Sequence, residues 1–272
     1  MIKPGKGHTK HKEKKVTGTM DLNCDMGESF GTYTIGMDEA VMPLITSANI
    51  ACGFHGGDPW VMEKTVILAK VNKVNIGAHP GYPDLEGFGR RKMELSPKEL
   101  RSTMIYQIGA LRAFAAAHGT RVTHVKPHGS LYLKAVEDPE TAETIARAIL
   151  DVDPEMAYIA LAGKKGKNME RLARTLGLKV IFEAFPDRAY TPEGTLAPRS
   201  MAGAVISDPH TVAQRALMMA EEGAITAIDG SRIKLEAQTL CIHGDNQGAV
   251  DLIKGIRTTL GTRGILLAPA LG

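Results

Sequence analysis

The sequence predicts an α/β chain folded as a seven-stranded (β/α) barrel. Three observations carry that expectation. Short apolar runs alternate with longer stretches of helical character, Asp-Pro pairs and glycines punctuate the helical stretches, and polar residues gather where the apolar runs end. A chain of 272 residues is an ordinary size for one barrel. With 43% hydrophobic and 23% charged residues it can bury a sizeable core, which excludes collagen, coiled coil and wholesale disorder. Three cysteines cannot make a disulfide framework, so a reducing, cytoplasmic setting is expected. No apolar run approaches the ~18 residues of a membrane span, and no secretory h-region follows the start.

The elements follow in order. Residues 1–19 form a basic leader, with lysines at 3, 6, 10, 12, 14 and 15 and almost nothing apolar. The leader alone makes the formal charge of +3 positive, and the rest is slightly acidic. It is expected to be disordered and to lie outside the fold, with no nucleic-acid role assigned. Residues 20–272 are expected to form a single catalytic domain. Strands are expected at Met20–Asp25, Ala48–Cys52, Val74–His79, Val122–Lys126, Ala157–Leu161, Val180–Ala184 and Thr239–His243. Asp58-Pro59, Asp138-Pro139 and Asp208-Pro209 each supply an N-cap followed by proline at the first helical position, and Ser96 with Glu99 forms a capping box. Gly119, Gly177, Gly223 and Gly261 suit the turn that ends a helix. Helices between strands imply right-handed crossovers and a parallel sheet. Asp229-Gly230 reads as a hairpin inserted before the last strand. Two long connections, Pro80–Leu95 and Phe185–Gly203, follow strand ends and read as binding loops.

Strand phase places the chemistry. Period two puts Asn23 and Asp25 on one face of the first strand and Leu22 and Cys24 on the other, so the polar pair points into the barrel. Asn49 opposes Ile50, and the second strand runs into a loop carrying His55. His79 ends the third strand, His124, Lys126 and His128 are in phase around the fourth, Glu183 ends the sixth, and His243 and Asp245 follow the last. Burying such groups costs several kcal/mol unless they are paired or ligated, so their recurrence at strand ends indicates a site. Bland roles suit Asp58 as a cap, His118 at a helix end, His124 deep in its strand, and Cys24 and Cys52 as small buried residues. Gly163–Lys167 is basic and glycine-rich but lacks the P-loop spacing.

Six blocks carry a resemblance: Asp21–Gly31, Ser47–Pro59, Gly77–Arg91, Val125–Tyr132, Glu183–Arg188 and Cys241–Asn246. In order and spacing they resemble the LamB/YcsF family, whose members are described as the A subunit of a 5-oxoprolinase. The departures are Pro186, where a small residue is usual before Asp-Arg, and the leader. The resemblance implies a barrel of the glycoside hydrolase/deacetylase type. It also implies ATP-dependent hydrolysis of the lactam 5-oxo-L-proline to L-glutamate, with separate subunits B and C as partners and Mg2+-ATP bound at a subunit interface or on a partner. In that chemistry Asp25, His79, His128 and Asp245 suit proton transfer, and Lys126, Arg90 and Arg188 suit anions. Asn23, Asn49, His55, Glu183 and His243 complete the expected lining. Asp25 with His55 or His79 is the alternative as a metal-ligand set, for an ATP-independent, metal-dependent amidohydrolase or deacetylase. A non-catalytic binding subunit is a further alternative, against which the density of ionisable groups argues. Lys126→Met is expected to abolish activity with little change in stability, with a structural pairing of Lys126 to Asp25 or Glu183 as the competing reading.

Overall fold

The structure is a computed structural model that describes residues 18–245 and 248–271. The leader up to residue 17, and with it the expectation of disorder, lies outside the described residues, as does Asn246 of the last sequence block. Seven parallel strands close into a barrel: β1 (Thr19–Met26), β2 (Ser47–Ala51), β3 (Asn75–His79), β4 (Val122–Val125), β5 (Ala157–Leu161), β6 (Lys179–Ala184) and β9 (Thr239–Ile242). Closure is made by β9, which pairs with β6 on one side and with β1 on the other. A short antiparallel hairpin, β7 (Ala224–Thr226) and β8 (Arg232–Lys234), turns at Asp229-Gly230 as the sequence implies.

The helices sit outside: α1 (Asp38–Val41), α2 (Pro59–Val71), α3 (Pro97–Ala117), α4 (Gly129–Glu137), α5 (Pro139–Val152), α6 (Gly166–Thr175), α7 (Pro209–Glu222) and α8 (Ala249–Thr262). Asp58, Asp138 and Asp208 accept backbone N–H groups at the starts of α2, α5 and α7, and Ser96 and Glu99 form the capping box of α3. Each such cap stabilises its helix by about 1 kcal/mol. Gly119, Gly177 and Gly223 adopt positive φ at helix ends. Gly261 does not: it lies within α8, and Gly264, at φ 78°, takes the turn instead. The helix signal simply continues past Gly261, because one internal glycine costs only ~1 kcal/mol.

Period two sorts the strands as their sequence suggests. Leu22, Cys24, Ile50, Ile76, Ala78 and Val125 face the helices and join one continuous apolar core. Each fully buried Leu or Ile there contributes roughly 1.5–3 kcal/mol. The barrel interior is polar on the side of β1 to β4. Near the floor, Asp21 accepts hydrogen bonds from Thr46, Ser47 and Thr239. Above it, His124 crosses the interior to meet Asn49 Oδ1 at 2.9 Å. Only glycine leaves room for that ring, since a Cβ on Gly77 would lie 2.0 Å from His124 Nε2. Towards β5 and β6 the interior is apolar, with Ala157, Ile159 and Ile181 packed against Leu271. One pairing has no counterpart in the expected strands: β10 (Leu266–Leu267) lies parallel to Thr19 and Met20 at the lower end of β1.

Candidate functional site

The C-terminal ends of the strands bring most of the expected residues into one buried cluster. Lys126, one residue beyond β4, places its ammonium 2.8 Å from Asp25 Oδ1, 3.0 Å from Glu183 Oε1 and 3.0 Å from Cys241 Sγ. Asn49 donates a second hydrogen bond to Asp25 Oδ1 at 2.9 Å, leaving Oδ2 directed at His79 Nε2, 3.4 Å away. Burial alone would raise the Asp25 carboxyl, but the charges at His79 and Lys126 outweigh it and hold Asp25 well below the usual carboxylate range. The same ion pairing overcomes burial at Lys126 and keeps its ammonium charged. Glu183 behaves oppositely: burial raises its carboxyl more than Lys126 lowers it.

A second group adjoins the first. His79 Nδ1 donates to the carbonyl of Lys126 at 2.7 Å, and His128 Nε2 donates to the carbonyl of Phe88 at 2.8 Å. The two remaining nitrogens, His79 Nε2 and His128 Nδ1, lie 2.9 Å apart. The His55 ring stacks on His128 with centroids 3.7 Å apart. Glu28, just past the end of β1, approaches His55 Nε2 at 3.4 Å and His128 Nδ1 at 3.7 Å. Burial lowers His55 and His128 well below the ordinary imidazole value, and burial with the nearby Asp25 charge raises Glu28 well above that of a carboxyl. Ligand atoms of Glu28, His55, His79 and His128 all lie within 4.8 Å of one another.

The long loops frame the mouth. Phe88, at φ 53°, and Gly89 turn the Pro80–Leu95 connection so that the Phe88 carbonyl meets His128. Ser130, in the first turn of α4, grips the same loop at the carbonyls of Gly89 and Arg91. Arg90 lies over the Phe88 ring and pairs with Asp245 at 2.6 Å, so these two residues sit at the rim and remain partly exposed. His243 is held at Nδ1 by Asp187, 2.7 Å away, and stacks on Phe185.

Three expectations are corrected by this arrangement. Asn23 and Asn49 lie beneath the mouth and bond to Thr239, to each other and to Asp25, so they support Asp25 rather than line a substrate pocket. Arg188 turns inward and donates to the carbonyls of Ala197 and Ala204, clamping its own loop. Lys126 pairs with Asp25 and Glu183, the partners that its competing structural reading names. In the possible metal set Glu28 replaces Asp25, and His128 joins His55 and His79. The bland readings hold for Asp58, which caps α2, and for His118, which pairs with Glu63 on the surface. They hold also for His124, which burial lowers to about 3.

The model of the LamB/YcsF family matches residues 20–271. The chain belongs to that family. The A subunit of 5-oxoprolinase from Natranaerobius thermophilus is 54% identical to this LamB/YcsF chain over 246 residues, covering 90% of the chain and 95% of the relative. A protein of the same name from Pyrococcus furiosus is 51% identical over 250 residues, covering 92% of the chain and 97% of the relative. The crystal structure of a lactam utilization protein from Thermus thermophilus superimposes with a TM-score of 0.86 at 49% identity, covering 92% of this chain and 99% of that one. No described helix is long and apolar enough to cross a membrane.

Proposed function

We propose that this chain acts as the A subunit of a multi-subunit 5-oxoprolinase, opening 5-oxo-L-proline to L-glutamate at the expense of ATP, with Mg2+-ATP shared with partner subunits B and C. The names of its relatives support the substrate class. The observation that carries the chemistry is the Asp25–His79 contact: an ionised carboxylate, locked on one oxygen by Lys126 and Asn49, presents its other oxygen to a histidine whose Nδ1–H is fixed by a backbone carbonyl.

A lactam carbonyl is a poor electrophile. Phosphorylation of its oxygen by ATP releases ADP and makes the ring carbon open to attack. Water adds, the ring C–N bond breaks with protonation of nitrogen, and an acyl phosphate remains. A second water hydrolyses this to L-glutamate and phosphate. His79 takes the proton from each water, with the ionised Asp25 stabilising its charged form, and His128 returns one to the departing nitrogen. Arg90, at the rim, offers its guanidinium to anionic substrate groups and gives up part of its pairing with Asp245 to do so.

The buried Glu28–His55–His79–His128 group favours a second reading, an ATP-independent amidohydrolase that uses a metal ion. A glutamate-release assay separates the two. The first reading requires that release depend on ATP and rise when partner subunits are added. Release without ATP that stops on chelation would support the second, and no release under any combination would overturn both.

A further inference from the structure

Two histidines of the cluster turn a ring nitrogen toward each other. A carbonyl oxygen can only accept, so His79 carries its proton on Nδ1, facing Lys126 O, and His128 carries its proton on Nε2, facing Phe88 O. In the neutral rings His79 Nε2 and His128 Nδ1 are then both acceptors, yet they stand 2.9 Å apart. A shared proton would satisfy that one contact. It would leave three more buried atoms without hydrogen-bond partners: Glu28 Oε1 and both ring nitrogens of His55. Buried polar atoms left in this way cost about 1–3 kcal/mol each, and Glu28, His55, His79 and His128 each turn one ligand atom into the same small cluster.

We infer that Glu28, His55, His79 and His128 bind one divalent transition-metal ion, of the kind that imidazole nitrogen and carboxylate oxygen favour. One cation accounts for all four side chains. Ligand atoms about 2.0–2.1 Å from a tetrahedral zinc stand roughly 3.4 Å from one another. The Glu28–His55 and Glu28–His128 separations are 3.4 and 3.7 Å; the 2.9 Å pair has to open, and the widest separations, up to 4.8 Å, have to close. The outer partners fit too. A metal-bound histidine usually donates its second N–H to a carbonyl or carboxylate, and His79 and His128 do so already. His55 stacks flat on His128, the planes differing by 2°, so both cannot aim in-plane lone pairs at one ion as they stand. His55 therefore turns about its Cβ–Cγ bond on loading. Neither of its nitrogens has a hydrogen bond to break. The three imidazoles point to zinc, iron, cobalt or nickel rather than magnesium or calcium.

The test of this site reads binding and not turnover, so it stands apart from the assay of the oxoproline reading; a bound ion would hold His79 Nε2 and His128 Nδ1 and leave the proton transfers proposed above to Asp25. Protein stripped with a strong chelator is titrated with Co2+, followed by visible ligand-field absorption and calorimetry. One ion per chain is expected, with the bands of a nitrogen-rich low-coordinate site. Glu28→Gln and His128→Ala should each weaken binding by at least about 100-fold, since loss of even an outer partner of a metal-bound histidine typically costs ~10–100-fold. His118→Ala, on the surface, should leave binding unchanged. X-ray absorption of the wild-type Zn2+ complex, which needs no variant to fold, should count three imidazoles. Failure of the wild-type chain to take up Co2+ or Zn2+, a count of two imidazoles or fewer, or unaltered affinity in folded Glu28→Gln and His128→Ala would overturn the assignment.

Discussion

Replacing Lys126 with methionine tests the charge balance of the barrel mouth. The ammonium lies between Asp25 at 2.8 Å and Glu183 at 3.0 Å, and all three side chains are almost fully excluded from water. Methionine fills similar volume but removes the positive charge. Breaking a buried pair by deleting one partner costs roughly 3–5 kcal/mol, because a carboxylate is left buried and uncompensated. For a domain of this size about 1 kcal/mol shifts Tm by ~2–4 °C, so a fall of roughly 6–20 °C is expected. The penalty has a pH signature. Glu183 already has a raised carboxyl pKa, and losing Lys126 raises it further. A carboxyl with a raised folded-state pKa costs stability as pH rises above its unfolded value near ~4.3. Asp25 loses part of the influence that depresses it, so its contribution above pH ~3.9 shrinks in the same direction. Lys126→Met should therefore be closer to wild type at pH 5 than at pH 8, and Lys126→Met with Glu183→Gln should recover part of the loss. Thermal melts of the three proteins at both pH values measure this. A Lys126→Met Tm within a degree or two of wild type at pH 8 would refute the pairing and restore the lysine as an available substrate ligand.

Other outcomes follow from single contacts. Burial lowers His124 to about 3, so the stability linked to its neutral form is complete above pH ~6.5 and is lost as pH falls, by about 1.4 kcal/mol per pH unit. His124→Gln should flatten the acid limb of a stability–pH curve by that slope between pH 6 and 4, and an unchanged slope would count against the burial argument. A Cβ at Gly244 would lie 2.3 Å from the Asp25 backbone oxygen; Gly244→Ala should cost about 1–3 kcal/mol by overpacking and cut turnover by displacing Asp25, and normal turnover would refute that account. Arg188→Met strands the carbonyls of Ala197 and Ala204, so limited proteolysis with mass spectrometry should find new cuts between residues 188 and 205 in an otherwise resistant chain.

Most of the barrel was legible because its strands obey period two and its helices carry explicit caps. Asp25, His79, Lys126 and Glu183 all lie inside or at the ends of those strands, where phase decides direction. Glu28 was not placed in the site by the same logic, because Gly27 at φ 68° ends the strand geometry and turns the chain. Its signal was the Gly27-Glu28 pair beside the in-phase Asp25. Arg188 went astray for another reason: a guanidinium suits substrate anions and backbone carbonyls alike, and only the path of the loop decides between them. β10, two residues long, is too short for periodicity to register. The pairing of Lys126 was open in the sequence, since the phase that turns it inward also turns Asp25 and Glu183 toward it.

The way β1 is flanked bears on how the buried cluster at the barrel mouth comes into being. Its neighbour on one side is β2, close in sequence, but on the other it meets β9 and β10, and the Asp21–Thr239 bond joins residues 218 positions apart. Until that far segment arrives, the strand bearing Asp25 has an open edge and a half-wet polar interior. Contacts of such long range slow folding, because loop closure must precede any gain from pairing. The seam is also where Asp25 from β1 comes beside Cys241 of β9, around the ammonium of Lys126. Chains halted before about residue 239 would thus hold an unpaired, aggregation-prone edge rather than a weakened enzyme. The cluster around Lys126 is therefore complete only once the ring is closed.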